Sequence, residues 1–569
     1  MTLSRRTLPF ALVLLASCQN AEPGDRGDGG ASDAGAADAF VVGSEDSGSD
    51  ASAPPLDAWA PPTDACTARM VYADGDGDGW GDGASGVSTC APLAAGQVTR
   101  GGDCDDACAS CHPGGAEVCH DDLDQNCAGG PDEGCPTGPT PLWAARIGAG
   151  PAADFAYAVA IGDDSSVVAV GRFNNTLVVG AHTIASAGYE DAFVARFDAA
   201  GTPTSVRSFG SAGSDSAGYV TLDGSGNAYV GADVRGGIAF GDGVAFDAQG
   251  TSESAVVASY APDGRARWAV GVVSDGYADL RGLAFGSAGV HALVHFDGTA
   301  RIAGQELTSD LGGGHAVLVL GPEDGQVRGF WRLEVPLGVV LDSMTLAAGG
   351  PCFGGRFQGS ATFGTTSLHS AGSYDGLIAC YAHDLSIRWA HRVGGTASDI
   401  VTSIASSSGG IAIGGWFSGT TTGDVALTSG GVMDGYVALF STAGALQWAR
   451  GVGGSQSDAV YAVAMAGPDV LVAGRVREPG AQIGVGTYVS LFSTASEAFA
   501  ARFDAAGATE WVQTFGGMRD DEALAIGVSS GERVAVAGSF SGTATFGTIS
   551  FSTTSSTDAD AFVHVLQSH

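Results

Sequence analysis

Beyond residue 142 the chain is written in short runs that alternate apolar and polar residues, separated by turns of Gly, Asp, Ser and Ala. Period-two alternation over such short lengths predicts strands. The runs recur as a unit. A tryptophan or its substitute marks each copy, at Trp143, Val206, Trp268, Trp331, Trp389, Trp448 and Trp511, with gaps of 63, 62, 63, 58, 59 and 63 residues. Within a copy, a Trp-Ala-Arg-like run leads through Gly-Gly and an Asp to two apolar runs, a long polar excursion, and a run such as Asp191 to Asp198. That is four strands per copy. Seven copies over residues 142–569, about 61 residues each, predict an all-β fold: a seven-bladed β-propeller. The phase of the repeat also predicts closure. The chain enters on an outermost strand at residues 142–147 and leaves on a third strand at 561–567, so the first strand should complete the last blade and leave no open edge.

Composition changes the picture upstream. The 569 residues carry 62 Asp plus Glu against 25 basic residues, all arginine, for a net charge of -37. Such a surface disfavours nucleic acid and anionic headgroups and favours divalent cations, or serves solubility alone. Residues 18–65 are mostly Ala, Asp, Gly, Ser and Pro, too poor in large apolar side chains to offset the entropy of ordering, and read as a disordered acidic linker. Before them, Arg5 and Arg6 precede an apolar stretch from Leu8 to Ala16, an export signal over residues 1–17. Leu15-Ala16-Ser17-Cys18 resembles a bacterial lipoprotein lipobox, which implies a lipidated Cys18. Gln19 follows where retention in the inner membrane would need Asp, which points to the outer membrane or cell surface, with the lipid as the sole membrane attachment. Ser4-Arg5-Arg6 leaves the general and twin-arginine export routes both open.

Residues 66–136 hold eight of the eleven cysteines, Cys66 through Cys135, among few large apolar side chains. Such a segment needs staples, and four disulfides are the default for an exported chain, with connectivity unreadable from spacing. In the same segment Asp74, Asp76, Asp78 and Asp82 fall at positions 1, 3, 5 and 9 of a loop, with Gly79 at 6 and Trp80 at 7, where a backbone carbonyl would ligate. Hard oxygen donors at that spacing suit calcium. Position 12 is Ser85 and not Glu, so further ligands are sought in Asp103, Asp105 or Asp106, with affinity of the extracellular kind, ~10⁻⁴–10⁻³ M.

Tyr72 through Asp82, Gly102-Asp103-Cys104-Asp105-Asp106, His112 through Cys119, and Asp122 through Cys127 with Asp132-Glu133 resemble one copy of the bacterial MopE-type metal-binding motif. The resemblance implies a secreted metal-binding module, with copper as a second candidate metal beside calcium and His112 and His120 as its nitrogen donors. The chain departs from the motif at Cys119 to Cys127, one residue long, and at Ala128, where Asp is usual. In the repeats, Gly226 to Val230 and Ser539 to Gly547 resemble the β-propeller repeats of exported bacterial proteins.

Every copy carries an Asp before its first strand: Asp154, Asp215, Asp279, Asp342, Asp399, Asp458 and Asp521. Two readings stand: a structural set accepting backbone N–H groups in equivalent turns, or a ring binding a cation on the axis. A second acid opens most third strands, at Asp191, Asp375, Asp434, Glu497 and Asp560, with Ser254 and His315 in the two divergent copies. Cys352 and Cys380 fall on adjacent strands, within reach of a bridge. The inner strands look bare of reactive side chains, and no Ser, His and Asp grouping interrupts the repeat, so a non-catalytic protein is expected. The leading expectation is a lipid-anchored surface protein that binds an unknown protein or glycan, with the excursions 173–191 and 475–497 as contact loops. The alternatives are a polysaccharide-acting enzyme with its site at the propeller mouth, and capture of calcium or copper.

Overall fold

The computed structural model describes residues 67–115, 124–130 and 138–568, apart from 149, 151, 249–251, 303, 310–312, 478, 485–486, 490–494 and 556–557. The export signal, Cys18, the linker and Cys66, and with them Glu117, Cys119, His120, Asp122, Asp132, Glu133 and Cys135, lie outside the described residues. The chain divides into two compact units, Met1–Cys135 and Pro136–His569.

In the first unit the strand Arg69–Ala73 pairs on one side with Val87–Thr89 and on the other with Gln97–Val98. Apolar burial is slight, with Val71 and Cys111 the buried hydrophobic residues among those described, and disulfides supply what the core lacks. Cys104 joins Cys127 and Cys108 joins Cys111, while Cys90 is oxidised as well. The Cys104, Cys108, Cys111 spacing is therefore a disulfide framework and no thiolate site.

The second unit is all-β. Seven antiparallel sheets of four to six strands follow one another, with first strands Phe155–Ile161, Ser216–Leu222, Tyr277–Gly286, Val339–Ala347, Ile400–Ser407, Ala459–Ala466 and Glu522–Val528. Each first strand lies against the next, and Glu522–Val528 lies against Phe155–Ile161. The seventh sheet takes its outer strand from the other end of the chain: Thr140–Ile147 pairs with Ala559–Gln567. Third strands such as Asp191–Phe197 are buried on both faces, which is why they read as nearly unbroken apolar runs.

The tryptophans that set the period join neighbouring sheets. The Trp268 indole donates to the Pro322 carbonyl at 3.1 Å, and Trp448 to that of Ala505 at 3.1 Å. The ring lies on a turn glycine of the next sheet, Gly325 or Gly507, at positive φ and with no room for a Cβ. The repeat was legible because one residue type makes the same joint repeatedly.

The excursions, expected as contact loops, take a further place in the fold. Several extend the sheet before their own: Thr299–Ile302 pairs with the outer strand Ala266–Ser274, Pro479–Ile483 with Leu446–Gly453, and Thr543–Phe546 with Thr509–Gly517. Leu177, Val179 and Ala481 are buried in this way, so 173–191 and 475–497 are in part joints between sheets and not free loops. The bridge between Cys352 and Cys380 is formed, across directly opposed positions of two neighbouring strands.

Candidate metal centre

The acidic loop of the first unit turns on Gly77 and Gly79, at φ +86° and +94°, where a side chain would be strained. It folds on its own carboxylates. One oxygen of each accepts a backbone N–H of the loop: Asp74 from Gly77 at 2.7 Å, Asp76 from Asp78 at 3.2 Å, and Asp78 from Trp80 at 2.7 Å. Ligand oxygens of the three lie within 4.8 Å of one another. The second oxygens of Asp76 and Asp78 are buried without a partner, as is Oδ2 of Asp103.

Asp103 is brought in by the backbone: its N–H donates to Gly81 at 3.2 Å, and it forms a parallel bridge with Asp82. Its side chain is 6% exposed. Burial pushes its carboxyl above the usual range, and the negative charges of Asp76, Asp78 and Asp106 push the same way against the N–H of Asp105. Concentrated carboxylates with buried, unsatisfied oxygens hold charge that a cation would neutralise.

Two further residues expected as ligands, Asp82 and Asp105, also accept backbone N–H groups, as does Ser85 at position 12. Asp82 accepts the Ala84 N–H at 2.8 Å and caps the short 3-10 turn Gly83–Ser85. Asp105 accepts the Ala107 N–H at 3.3 Å and gives its own N–H to Asp103. Ser85, at position 12, accepts the Ala73 N–H at 2.8 Å. Trp80 keeps its place in the loop, its ring stacked on His112 at 5.9 Å with the Arg100 guanidinium 5.4 Å from its centroid. His112 thus packs against an indole. The donors gathered among the described residues are oxygens, a set that suits a hard cation, while His120, the second nitrogen donor expected for copper, lies outside the described residues.

In the second unit, five of the seven repeat aspartates do what the turn requires. Asp215 accepts from Ser211 and Arg235 at 2.6 and 2.7 Å, Asp399 from Gly395 and Ser418 at 2.7 and 3.0 Å, and Asp458 from Gly454 and Arg477 at 2.9 and 2.8 Å. Asp521 accepts from Gly517 and Ser541 at 2.6 and 3.0 Å, and Asp154 from Asn174 at 3.0 Å. All five are at most 1% exposed. The second acids behave alike, with Asp191, Asp375 and Asp434 accepting from Ala187, Ala371 and Gly430.

Asp279 and Asp342 are not members of that set. Each first strand has a bulge, and in the five regular sheets it begins two residues after the aspartate, as at Ala156, Ala217 and Val401. In the third and fourth sheets it begins at Leu280 and Leu341, which puts Ala278 and Val339 at the equivalent positions. Asp279 and Asp342 instead flank Arg281, at 2.6 and 3.2 Å, and His295 lies 3.2 Å from Asp279. The side chains of Asp279, Arg281 and His295 are no more than 8% exposed. His315 accepts the Leu341 N–H at 3.4 Å, and burial pushes its pKa down to about 3. A grouping of Asp, Arg and His, a combination other than the Ser, His and Asp sought in the sequence, therefore interrupts the repeat, and the inner strands are not bare. The extra residue of the bulge is Tyr157, Gly218, Arg281, Asp342, Thr402, Tyr461 or Leu524 in turn. Their three-residue offset from the regular aspartates was the available signal.

Fold and loop together define an all-β protein with a disulfide-stapled metal-binding module. Residues 103–133 match the family Cu-binding MopE, described as "Putative metal-binding motif". Among solved structures the chain is similar to Sqt1 from Chaetomium thermophilum, with 12% identity, 76% of this chain and 99% of that one covered, and a TM-score of 0.37. It is also similar to quinohemoprotein alcohol dehydrogenase from Comamonas testosteroni, with 10% identity, 70% and 59% covered, and a TM-score of 0.23. No curated protein matches the chain.

Proposed function

We propose that this chain is a lipid-anchored protein of the outer membrane or cell surface, in which a calcium-binding module accompanies a seven-bladed propeller that binds a protein or glycan partner. The observation that carries the calcium assignment is the set of buried, unpartnered oxygens on Asp76, Asp78 and Asp103 beside Asp74. Calcium takes six to eight oxygens in flexible geometry, so water and the Trp80 carbonyl would complete the shell. The propeller reading is supported by the succession of seven first strands that returns to its start, and by the N-terminal strand seated in the last sheet. Its mechanism is display: a rigid array of sheets presents side chains that differ from copy to copy.

Trp80 supplies the assay, because an indole in the loop sensitises luminescence from terbium, a calcium surrogate. Full-length protein should give a terbium signal that calcium displaces at ~10⁻⁴–10⁻³ M, and Asp78→Asn should abolish it. Trp80→Phe should lose the signal while calcium still binds by calorimetry. Binding of copper with no response to calcium would overturn the assignment. Lipidation is tested by fatty-acid labelling of cells expressing wild type and Cys18→Ser.

A further inference from the structure

Two grooves on the outer flank of the sheets occupy equivalent places in different copies. One lies on the seventh sheet, about 350 Å³, over Ala144, Ala145 and Arg146. The other lies on the fourth sheet, about 450 Å³, over Trp389, His391 and Arg392 of the strand Ile387–Gly395. Counting from the repeat tryptophans Trp143 and Trp389, His391 stands where the seventh sheet has Ala145.

The fourth-sheet groove differs in chemistry and in cover. His391 Nδ1 lies 2.6 Å from Asp424 Oδ2 on the opposite wall. Arg388 opens the floor, its guanidinium anchored on the Thr442 carbonyl at 2.7 Å, and Arg392 is fixed against buried Asp375 at 2.9 Å. The extension that covers the sixth sheet is a full hairpin, Thr543–Phe546 with Ile549–Ser552, whereas the fourth sheet receives the two-residue strand Thr421–Thr422. Trp389, like Trp331, is half-buried, while Trp143, Trp268, Trp448 and Trp511 are 5–7% exposed.

We propose that this groove binds an acidic saccharide unit of the uronic acid type. It rests on the glycan-binding arm of the function proposed above and gives that arm a place and a ligand class. The volume suits one or two sugar rings. Trp389 and Leu368 offer apolar surface to the C–H face of a ring, and Asp424 with His391 offers an acceptor and donor to vicinal hydroxyls. Arg388 and Arg392 put guanidinium charge on a chain of net charge -37, which selects a carboxylate over a neutral sugar.

The test is calorimetry of the full-length protein with oligoglucuronate and, in parallel, a neutral gluco-oligosaccharide. Oligoglucuronate should bind, the neutral sugar at least tenfold more weakly, and Arg388→Ala and His391→Ala should each weaken binding tenfold or more at unchanged melting temperature. His391→Gln, which keeps a hydrogen bond to Asp424, should restore part of the affinity. Ala145→Leu, which fills the seventh-sheet groove, should leave binding intact. Equal affinity for both sugars, or loss of binding in Ala145→Leu, would overturn the proposal. Acidic-glycan binding indifferent to Arg388 and His391 would overturn this site and leave the glycan-binding function standing; no binding of either sugar would remove both.

Discussion

Asp154 and Asp560 face each other across Gly148, from the first sheet and the seventh, so closely that a Cβ on Gly148 would collide with Oδ2 of one and Oδ1 of the other. Both oxygens are buried without another partner. Arg146 holds the remaining oxygen of Asp560 at 2.6 Å, which favours the charged form of Asp560 and leaves Asp154 the more readily protonated of the two. Burial pushes the Asp154 carboxyl up to about 8, the charge of Asp560 adding to it and the Asn174 N–H and Arg146 opposing. The motif recurs: Gly394 separates Asp375 from Asp399, and Gly453 separates Asp434 from Asp458.

A folded pKa raised from 3.8 to about 8 gives stability that is fully present below pH 3.8 and is lost as pH rises through 8. Asp154→Asn should remove that loss, because the amide oxygen keeps the Asn174 N–H and the amide nitrogen donates to Asp560. Thermal melting at pH 6 and pH 9 should therefore show wild type losing several degrees more than the variant. Equal losses would mean that the pair carries no shared proton.

Arg281 is the one cation between Asp279 and Asp342 on the first strands, with Arg356 reaching Asp342 from the second strand at 2.5 Å. Arg281→Met takes the guanidinium from buried Asp279 and leaves His295 as its neighbouring basic group, a change of about 3–5 kcal/mol against the fold. Urea unfolding should show it as a lower midpoint at an unchanged slope. If the loss is under about 1 kcal/mol, of the order of an exposed pair, the cluster is not the joint described.

How far the sequence could be read follows from which contacts repeat. The tryptophans, the turn glycines and the five regular aspartates recur because one joint is made again and again, so periodicity exposed them. The bulge escaped notice, since an extra residue in one strand is defined only by its partner; spacing from the tryptophan thus led to Asp279 and Asp342 where Ala278 and Val339 belong. Pairing of excursions with the preceding sheet was equally hidden, being set by contacts between copies. In the metal loop, Asp74, Asp76 and Asp78 were legible from local spacing, while the bond from the Ala84 N–H to Asp82 depends on a turn too short to leave a pattern.

The bridge between Cys352 and Cys380 closes a segment of 28 residues between two fully buried positions. Replacing both by Ala should lower stability by about 2–4 kcal/mol, seen as reduced melting of the variant without reductant. Dithiothreitol should lower the melting of wild type and leave that of the variant less affected. No difference between wild type and variant would show that packing alone holds these strands.

The strand Thr140–Ile147 should matter far beyond its length. Trp143 is 7% exposed and Ile147 is fully buried, each contributing about 1.5–3 kcal/mol on burial. Deleting the strand also uncovers Ala559–Gln567, an apolar strand whose free edge would pair with other chains. The deletion should lower melting much more than removal of eight residues from the acidic segment before Cys66, and should promote aggregation that the peptide of residues 140–147 suppresses in trans. Unchanged melting would sink the closure of the seven sheets through this strand, because nothing else in the sequence order brings residue 140 to residue 567.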